Sequence, residues 1–390
     1  VRAGFVVTAA DLFGDRDLTS IAQTHLVEDY PHSIRAIADK LPTMDWLYTG
    51  GLENYPNLVD SVSSRHRLLG NPGRVLRPAR DPWEWESVLQ QAGLHFPSPR
   101  RERPNDPIGR WLIKPLDSSG GGRICELRKG ANLSGALEPA PWNRGEVGKS
   151  TCAGLSPASP GWYFQPWIRG RSLSAVYVAA GGRATLLCVT RQLIGSAWAG
   201  SRGFEYVGSV GPLNLPANLQ RTYEQIGARL AERWGLCGLF GVDTVLADEE
   251  VWTIEVNPRY PASVEVWERA TGASAVACHR AACDGALPGL HALPVARRVV
   301  AKAIVNAPRD VTIDTELDRR LMQLTPNGPG PPLADLPLAA LPLADLPRIG
   351  QAIPAGAPVL TVFAEGADYA ATYRLLRTRV SQLRATLRRH

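Results

Sequence analysis

Gly241-Val242-Asp243-Thr244-Val245-Leu246, followed after a four-residue break by Val251-Trp252-Thr253-Ile254-Glu255-Val256-Asn257-Pro258-Arg259, is the stretch on which the reading of this chain turns. Both runs are short and rich in β-branched residues, and Ala247-Asp248-Glu249-Glu250 between them reads as the turn of an antiparallel hairpin. Side chains two apart on a strand share a face, so Glu255 and Asn257 lie together and Asp243 on the partner strand can face them. Two carboxylates and an amide oxygen brought together form an all-oxygen ligand set of the kind Mg²⁺ takes beside phosphate oxygens. Arg259, two residues on, points toward the same cluster, where it can offset charge on a transferring phosphoryl group. The bland alternative is a surface hairpin with ordinary salt bridges, which gives no reason to interleave Glu255 and Asn257 with Ile254 and Val256.

A second signal lies about 125 residues earlier, in Ile113-Lys114-Pro115-Leu116-Asp117-Ser118-Ser119-Gly120-Gly121-Gly122. A strand that delivers a lysine beside a Ser/Gly-rich loop offers a cation for phosphate oxygens and backbone N–H groups to wrap them. Lysine is scarce here: the others are Lys40, Lys129, Lys149 and Lys302. The lysine precedes the glycines, so this is not the GxxxxGK[ST] loop, and taken alone the segment is equally a hairpin. Its weight comes from the acidic hairpin downstream.

Working outward, the N-terminal region reads as α/β. An apolar run, Phe5–Ala10, ends in the loop Asp11–Asp17, and a helical pattern follows from Leu18 to Val27. Ser33–Ala38 reads as helix, Trp46–Thr49 as strand, Gly50–Asn54 as the loop beyond it, and Leu58–Leu69 as helix. Pro82–Gly93 is a helix capped by Asp81. Open α/β sheets gather ligands at strand ends, which makes Asp11, Glu53 and Asn54 candidate substrate residues; a cap or loop hydrogen bond explains each equally well. The polar stretch Ser98–Asp106 marks a boundary. Beyond it come strands at Trp111–Pro115, Trp162–Ile168, Leu173–Ala179 and Ala184–Leu193, then a helix at Leu219–Trp234 and the acidic hairpin. Strands, helix, strands is an α+β order, and Gln192 near the end of one strand is a further substrate candidate. A third region holds short strands near Val299–Val305 and Pro358–Ala364, a proline-punctuated quasi-repeat at residues 333–348 that forbids regular helix there, and a basic terminal helix. The expected domains are residues 1–100, 101–292 and 293–390.

Composition narrows the class. With 390 residues, 44% hydrophobic and 21% charged, the chain can bury several cores, which excludes a disordered protein. No apolar run approaches the length of a membrane span, and Val1–Thr8 is too short for a secretion signal's central region, so a cytoplasmic location without membrane partners is expected. The net charge of +6 comes from basic residues scattered along the chain, which argues against nucleic acid. The six cysteines form no CxxC pair and are expected to be reduced.

Lys-Pro before a Ser/Gly loop, then Phe164-Gln165-Pro166-Trp167-Ile168-Arg169-Gly170, then Gly-Val-Asp and Glu-Val-Asn-Pro-Arg, together resemble the ATP-grasp superfamily. Asp11-Leu12-Phe13-Gly14-Asp15 and Gly50–Asn54 resemble strand-end loops of the Rossmann-like domain preceding that core, and Ile353–Val362 the small β domain that closes carboxylases and purine-pathway members. Within the superfamily the chain is similar to the ATP-dependent carboligase-like proteins, related to biotin carboxylase, found with tetrahydromethanopterin-linked one-carbon genes. The resemblance implies a fold of Rossmann-like N-terminal domain, two-subdomain ATP-grasp core and small C-terminal β domain. It implies ATP and Mg²⁺, with Mn²⁺ an alternative, the metal held by Asp243, Glu255 and Asn257. Lys114 and Arg259 would be catalytic, and Lys114, Ser118, Ser119, Gly120, Gly121, Gln165, Trp167 and Ile168 would bind nucleotide. The reaction implied joins a small-molecule carboxylate to an amine through an acyl-phosphate, with a pterin or furan cofactor as the product class and a homodimer as an open expectation. The competing readings are an ATP-dependent carboxylase and a non-catalytic nucleotide-binding scaffold. Two departures stand out. Gln165 replaces the usual hinge Glu, and the usual lysine for the α-phosphate is missing from 71–99, leaving Arg77 or Arg80 as its stand-in.

Overall fold

The computed structural model describes residues 3–104, 109–117, 119–127, 161–289, 293–323 and 342–390. Ser118, the Pro/Gly/Ser-rich section after residue 127 and the quasi-repeat up to residue 341 therefore lie outside the described residues.

The N-terminal region is built on parallel pairs. β1 (Thr8–Asp11) pairs with β2 (Gln23–Leu26) across α1 (Arg16–Thr19), and after α2 (Ser33–Asp39), β3 (Asp45–Trp46) pairs with β4 (Arg67–Leu68) across α3 (Pro56–Ser63). This corrects two expectations: Leu18–Val27 and Leu58–Leu69 each end in a strand rather than continuing as helix. The register Thr8↔Gln23 through Asp11↔Leu26 is a long-range ladder that overrides the local helical pattern. The helices α4 (Gly73–Ala79) and α5 (Pro82–Gln91) follow; Asp81 caps α5 by accepting from Trp83 N at 2.9 Å.

A small antiparallel sheet comes next, with β5 (Trp111–Pro115) between β6 (Cys125–Glu126) and β7 (Trp162–Pro166). The large sheet has eight strands. β8 (Arg171–Ala180), β9 (Arg183–Ile194), β10 (Tyr206–Gly211), β11 (Gly238–Ala247) and β12 (Glu250–Asn257) are joined in it by β13 (Val299–Asn306), β15 (Leu343–Ala344) and β17 (Pro358–Gly366). The order is β12-β11-β8-β9-β10-β13-β17-β15, so the hydrogen-bonded ladder runs across residue 293. A separate pair joins β14 (Val311–Thr312) to β16 (Ala352–Ile353).

β8 is buried on both faces, which explains its almost unbroken apolar run. Ala175, Tyr177 and Ala179 pack with α4, α5 and α6 (Ala217–Trp234), whereas Val176 and Val178 pack under α7 (Val264–Thr271) and α8 (Ala275–Cys283). A third core lies beneath α9 (Thr315–Gln323) and α10 (Tyr369–Arg389), whose Leu376, Val380, Leu383 and Leu387 face inward. Cys188, Cys237, Cys278 and Cys283 are free thiols, while Cys125 is disulfide-bonded, a correction to the expectation that all six are reduced. Among the described residues no helix is long and apolar enough to cross a membrane.

Candidate functional site

The acidic hairpin positions the site. β11 and β12 pair with Gly241 opposite Asn257 and Asp243 opposite Glu255. Asp248 and Glu249 close the turn with φ of 48° and 64°, the left-handed pair whose twist matches an antiparallel ribbon. The ladder shifts between Asp243 and Thr244, and such a bulge re-aims side chains beside it. Asp243 then accepts from Asn257 Nδ2 at 3.1 Å and from Gln192 Nε2 at 2.9 Å. Ser174 on β8 stands directly opposite Asp243 in the ladder and favours its charged form.

Lys114 comes from the small sheet. It is buried, and its Nζ donates to Gln165 Oε1 at 3.1 Å and to Ile254 O at 3.3 Å, which ties β5 and β7 to β12. Between the two sheets opens a cleft of about 360 Å³, lined by Lys114, Gly121, Trp167, Gln192, Asp243 and Glu255 among others, a volume typical of small-molecule sites. The cleft sits beyond the part of the sheet face that α7 and α8 cover, so Ser172 and Ser174 line it where Val176 and Val178 would otherwise need a lid.

Burial, and then the neighbouring Glu255, push the Asp243 carboxyl up to about 6. Burial pushes Glu255 the same way, but Arg80, Lys114 and Arg259 outweigh it and hold that carboxyl below its usual range. Arg80, at the end of α4, donates to Glu255 Oε1, and its other nitrogen reaches Asn54 Oδ1 at 3.2 Å. Arg259 donates from Nε to Glu53 Oε1 at 2.7 Å and from Nη2 to Asn257 Oδ1 at 3.5 Å. Glu53 is sealed from solvent, and its Oε2 has no hydrogen-bond partner among the described residues.

The structure thus gathers Lys114, Gln192, Asp243, Glu255, Asn257 and Arg259 at one cleft. Gly120 and Gly121 line it, with Ser119 beside them in the same loop; Gly121, at φ 77°, has Phe204 O 2.1 Å from where a Cβ would stand, so no side chain fits. Gln165, Trp167 and Ile168 also line the cleft. The Trp167 backbone N–H is donated to Arg110 O at 2.9 Å, and the Arg110 guanidinium lies 3.5 Å from the Trp167 ring centre. Asp11 is not brought in: its carboxylate accepts from Phe13 N and Gly14 N, both at 2.7 Å, within its own loop. Glu53 and Asn54 reach the site guanidiniums. Arg77 bonds Asn57 and Asp60 away from the cleft, and Arg80 meets Glu255.

Sequence reasoning missed Ser174 and Tyr206, which line the same cleft. For Ser174 a signal exists: Ser172 and Ser174 alternate into the same face as Val176 and Val178. For Tyr206 there is none, because glycine and serine interrupt β10 and blur its strand pattern.

The sequence model of the ATP-grasp domain matches residues 79–263, the span from the end of α4 to the start of α7. The fold is the ATP-grasp fold. By sequence, no curated protein matches the chain. Among solved structures, N5-carboxyaminoimidazole ribonucleotide synthetase from Thermus thermophilus is similar with a TM-score of 0.62 at 16% identity, over 98% of this chain and 93% of that one. The biotin carboxylase domain of Hydrogenobacter thermophilus 2-oxoglutarate carboxylase, crystallised with MgADP and bicarbonate, matches at 0.67 and 14% identity, over 96% and 84%. The L-amino acid ligase from Bacillus licheniformis matches at 0.57 and 14% identity, over 83% and 76%. These likenesses show a shared fold along most of the chain.

Proposed function

We propose that this protein is an ATP-dependent ligase that joins a carboxylate to an amine through an acyl-phosphate. The observation that carries the reading is the convergence of Asp243, Glu255 and Asn257 with the cations Lys114 and Arg259 on one cleft. The donor set fits a hard divalent cation: two partly buried carboxylates and an amide oxygen supply a partial oxygen shell that phosphate oxygens and water complete. Among the described residues no group of three His, Cys, Asp or Glu side chains could hold a metal without such help. Mg²⁺, or Mn²⁺ in its place, supplies charge neutralisation at the phosphates when bound.

The chain's own residues do the rest. In this reading Lys114, held from β5 against β12, meets phosphate oxygens, and Arg259, bonded to Glu53, offsets charge as the γ-phosphoryl group passes to the substrate carboxylate. An amine then attacks the acyl carbon and phosphate leaves. The loop of Ser119–Gly122 is suited to covering the cleft, since an acyl-phosphate exposed to water hydrolyses. Gln192, which donates to Asp243, and Ser174, opposite it in the ladder, hold the carboxylate in place.

ATP-dependent carboxylation is the second reading, favoured by the match along nearly the whole chain to a carboxylase domain and a carboxyaminoimidazole ribonucleotide synthetase. The test is ADP and phosphate release from Mg·ATP with a panel of acids and amines that includes glutamate and pterin and furan precursors, each with and without bicarbonate. Release that needs both an acid and an amine is expected. Release that needs bicarbonate instead selects carboxylation, and nucleotide binding with no release under any pair favours the scaffold. Glu255→Gln is expected to abolish turnover in a protein that still folds and unfolds in one cooperative transition, at a lower midpoint because Arg80 loses its carboxylate partner; unchanged turnover removes the metal assignment.

A further inference from the structure

Two thiols that this chemistry does not use meet at the start of β11. Cys237 immediately precedes that strand and Cys283 ends α8; the Cys237 thiol donates to the carbonyl of Ala282, the residue before Cys283, at 3.9 Å, and the two sulfurs are side-chain neighbours. The approach depends on Gly238, at φ 76°, where a Cβ would stand 3.2 Å from Cys283 Sγ and 2.4 Å from the His279 ring. Both cysteines are only half-buried, unlike Cys188, whose burial pushes its thiol up to about 12. Arg67, paired with Asp284, adds positive charge at the same corner. The Cys283 side chain first, and then Arg67, against burial and the Asp284 carboxylate, lower the Cys237 thiol below its usual range, whereas the contact with Cys237 and burial push Cys283 above its own. One sulfur is therefore a ready nucleophile and the other a held thiol.

We propose that Cys237 and Cys283 form a reversible thiol–disulfide pair that responds to hydrogen peroxide, with Cys237 attacking and Cys283 resolving. The Cys237 thiolate attacks the peroxide; the O–O bond breaks, an S–O bond forms, and the peroxide is reduced by two electrons as hydroxide leaves. The Cys283 sulfur then attacks the sulfenic sulfur; the S–S bond forms, the S–O bond breaks, and the Cys283 proton leaves with the hydroxide as water. Two thiols and one peroxide give one disulfide and two waters.

The pair is wired to the cleft. Cys237 N donates to Asn71 Oδ1 at 2.9 Å, and Asn71 Nδ2 donates to Pro258 O at 3.0 Å, the residue between Asn257 and Arg259. Tyr48 anchors the same asparagine by donating to Asn71 O at 2.7 Å. Drawing Cys237 toward α8 pulls on the side chain that holds the backbone between these two site residues.

The test treats the reduced full-length protein with stoichiometric hydrogen peroxide and maps tryptic peptides. A cross-link between the peptides spanning 234–259 and 281–297, reversed by dithiothreitol, is expected; Cys278 lies in a different peptide, 270–280, and serves as the internal control. In Cys283→Ser, Cys237 should persist as a sulfenic acid that dimedone traps, and in Cys237→Ser no adduct should form at position 283. Absence of the cross-link at peroxide levels that oxidise free glutathione overturns the proposal, and a dimedone adduct on Cys283 in Cys237→Ser overturns the assigned order. In the second arm, which rests on the nucleotide reading of the cleft, the Kd for Mg·ATP is expected to differ at least about three-fold between oxidised and reduced protein. An unchanged Kd in protein shown to be cross-linked overturns the link through Asn71 alone.

Discussion

Arg80 Nη1 donates to Glu255 Oε1 at 2.8 Å and to Val256 O at 3.1 Å, so a guanidinium at the end of α4 fastens an N-terminal helix to the strand that carries a proposed metal ligand. The two side chains are only 10% and 21% exposed. Removing one member of a largely buried pair strands the other's charge, at a cost of about 3 kcal/mol. Arg80→Met should therefore lose about 3 kcal/mol in chemical denaturation at neutral pH, and Arg80→Lys should recover part of it. A loss below about 1 kcal/mol would place the pair with surface bridges.

Lys114 differs because its partners are a neutral amide and a backbone carbonyl. Its proposed value is realised only when phosphate arrives. Lys114→Met should lower kcat/KM for ATP by about 100-fold while the unfolding midpoint changes little. A variant that unfolds early but turns over normally would make Lys114 a structural cation.

Gly121 sets the position of the glycine loop against the segment before β10, since Gly120 O accepts from Tyr206 N at 3.0 Å. A methyl group at position 121 meets Phe204 O and a left-handed φ together. Gly121→Ala should displace the loop and cut turnover by about ten-fold, read as steady-state ADP release, while Gly122→Ala, with only Glu205 Cγ at 3.9 Å, should not.

Asp15, which does not line the cleft, gives a pH signature of its own. Burial first, and then Asp345, Asp11 and Asp17, push its carboxyl up to about 7. The folded state therefore binds this proton more tightly than the unfolded chain does, so the stability it provides is complete near pH 4 and falls as pH rises toward 7. Asp15→Asn should raise the Tm at pH 8 by about 2–4 °C and leave it nearly unchanged at about pH 4. An equal shift at both pH values would mean that the group titrates normally.

The hairpin was legible because its information is local. Alternation of Glu255 and Asn257 with apolar neighbours fixes which side chains share a face, and the four-residue break fixes the pairing partner. Trp111–Pro115 and the capped helix α5 were legible for the same reason. The strands β2 and β4 were not: at four and two residues they carry too little pattern to outweigh the helical periodicity around them, and only their parallel partners define them. The roles of Glu53, Asn54 and Arg80 were also hidden. Loop residues at a strand end read as substrate contacts, but their amide and carboxylate oxygens are used to aim arginines 26 and 206 positions away, a relation set by packing and invisible to spacing. The meeting of Cys237 with Cys283, far apart in the chain, is of the same kind.

The ladder that carries the cleft also sets when the cleft can exist. β13 hydrogen-bonds β10, and β17 in turn hydrogen-bonds β13 out to Gly366. A nascent chain that has emerged only through residue 292 has every proposed site residue, yet its sheet ends at β10 with an open edge and the apolar face of Val207 and Val210 uncovered. Synthesis from the N-terminus thus leaves an interval in which this edge needs shielding; β13 covers it on leaving the ribosome, and the new edge that β13 presents then waits for β17.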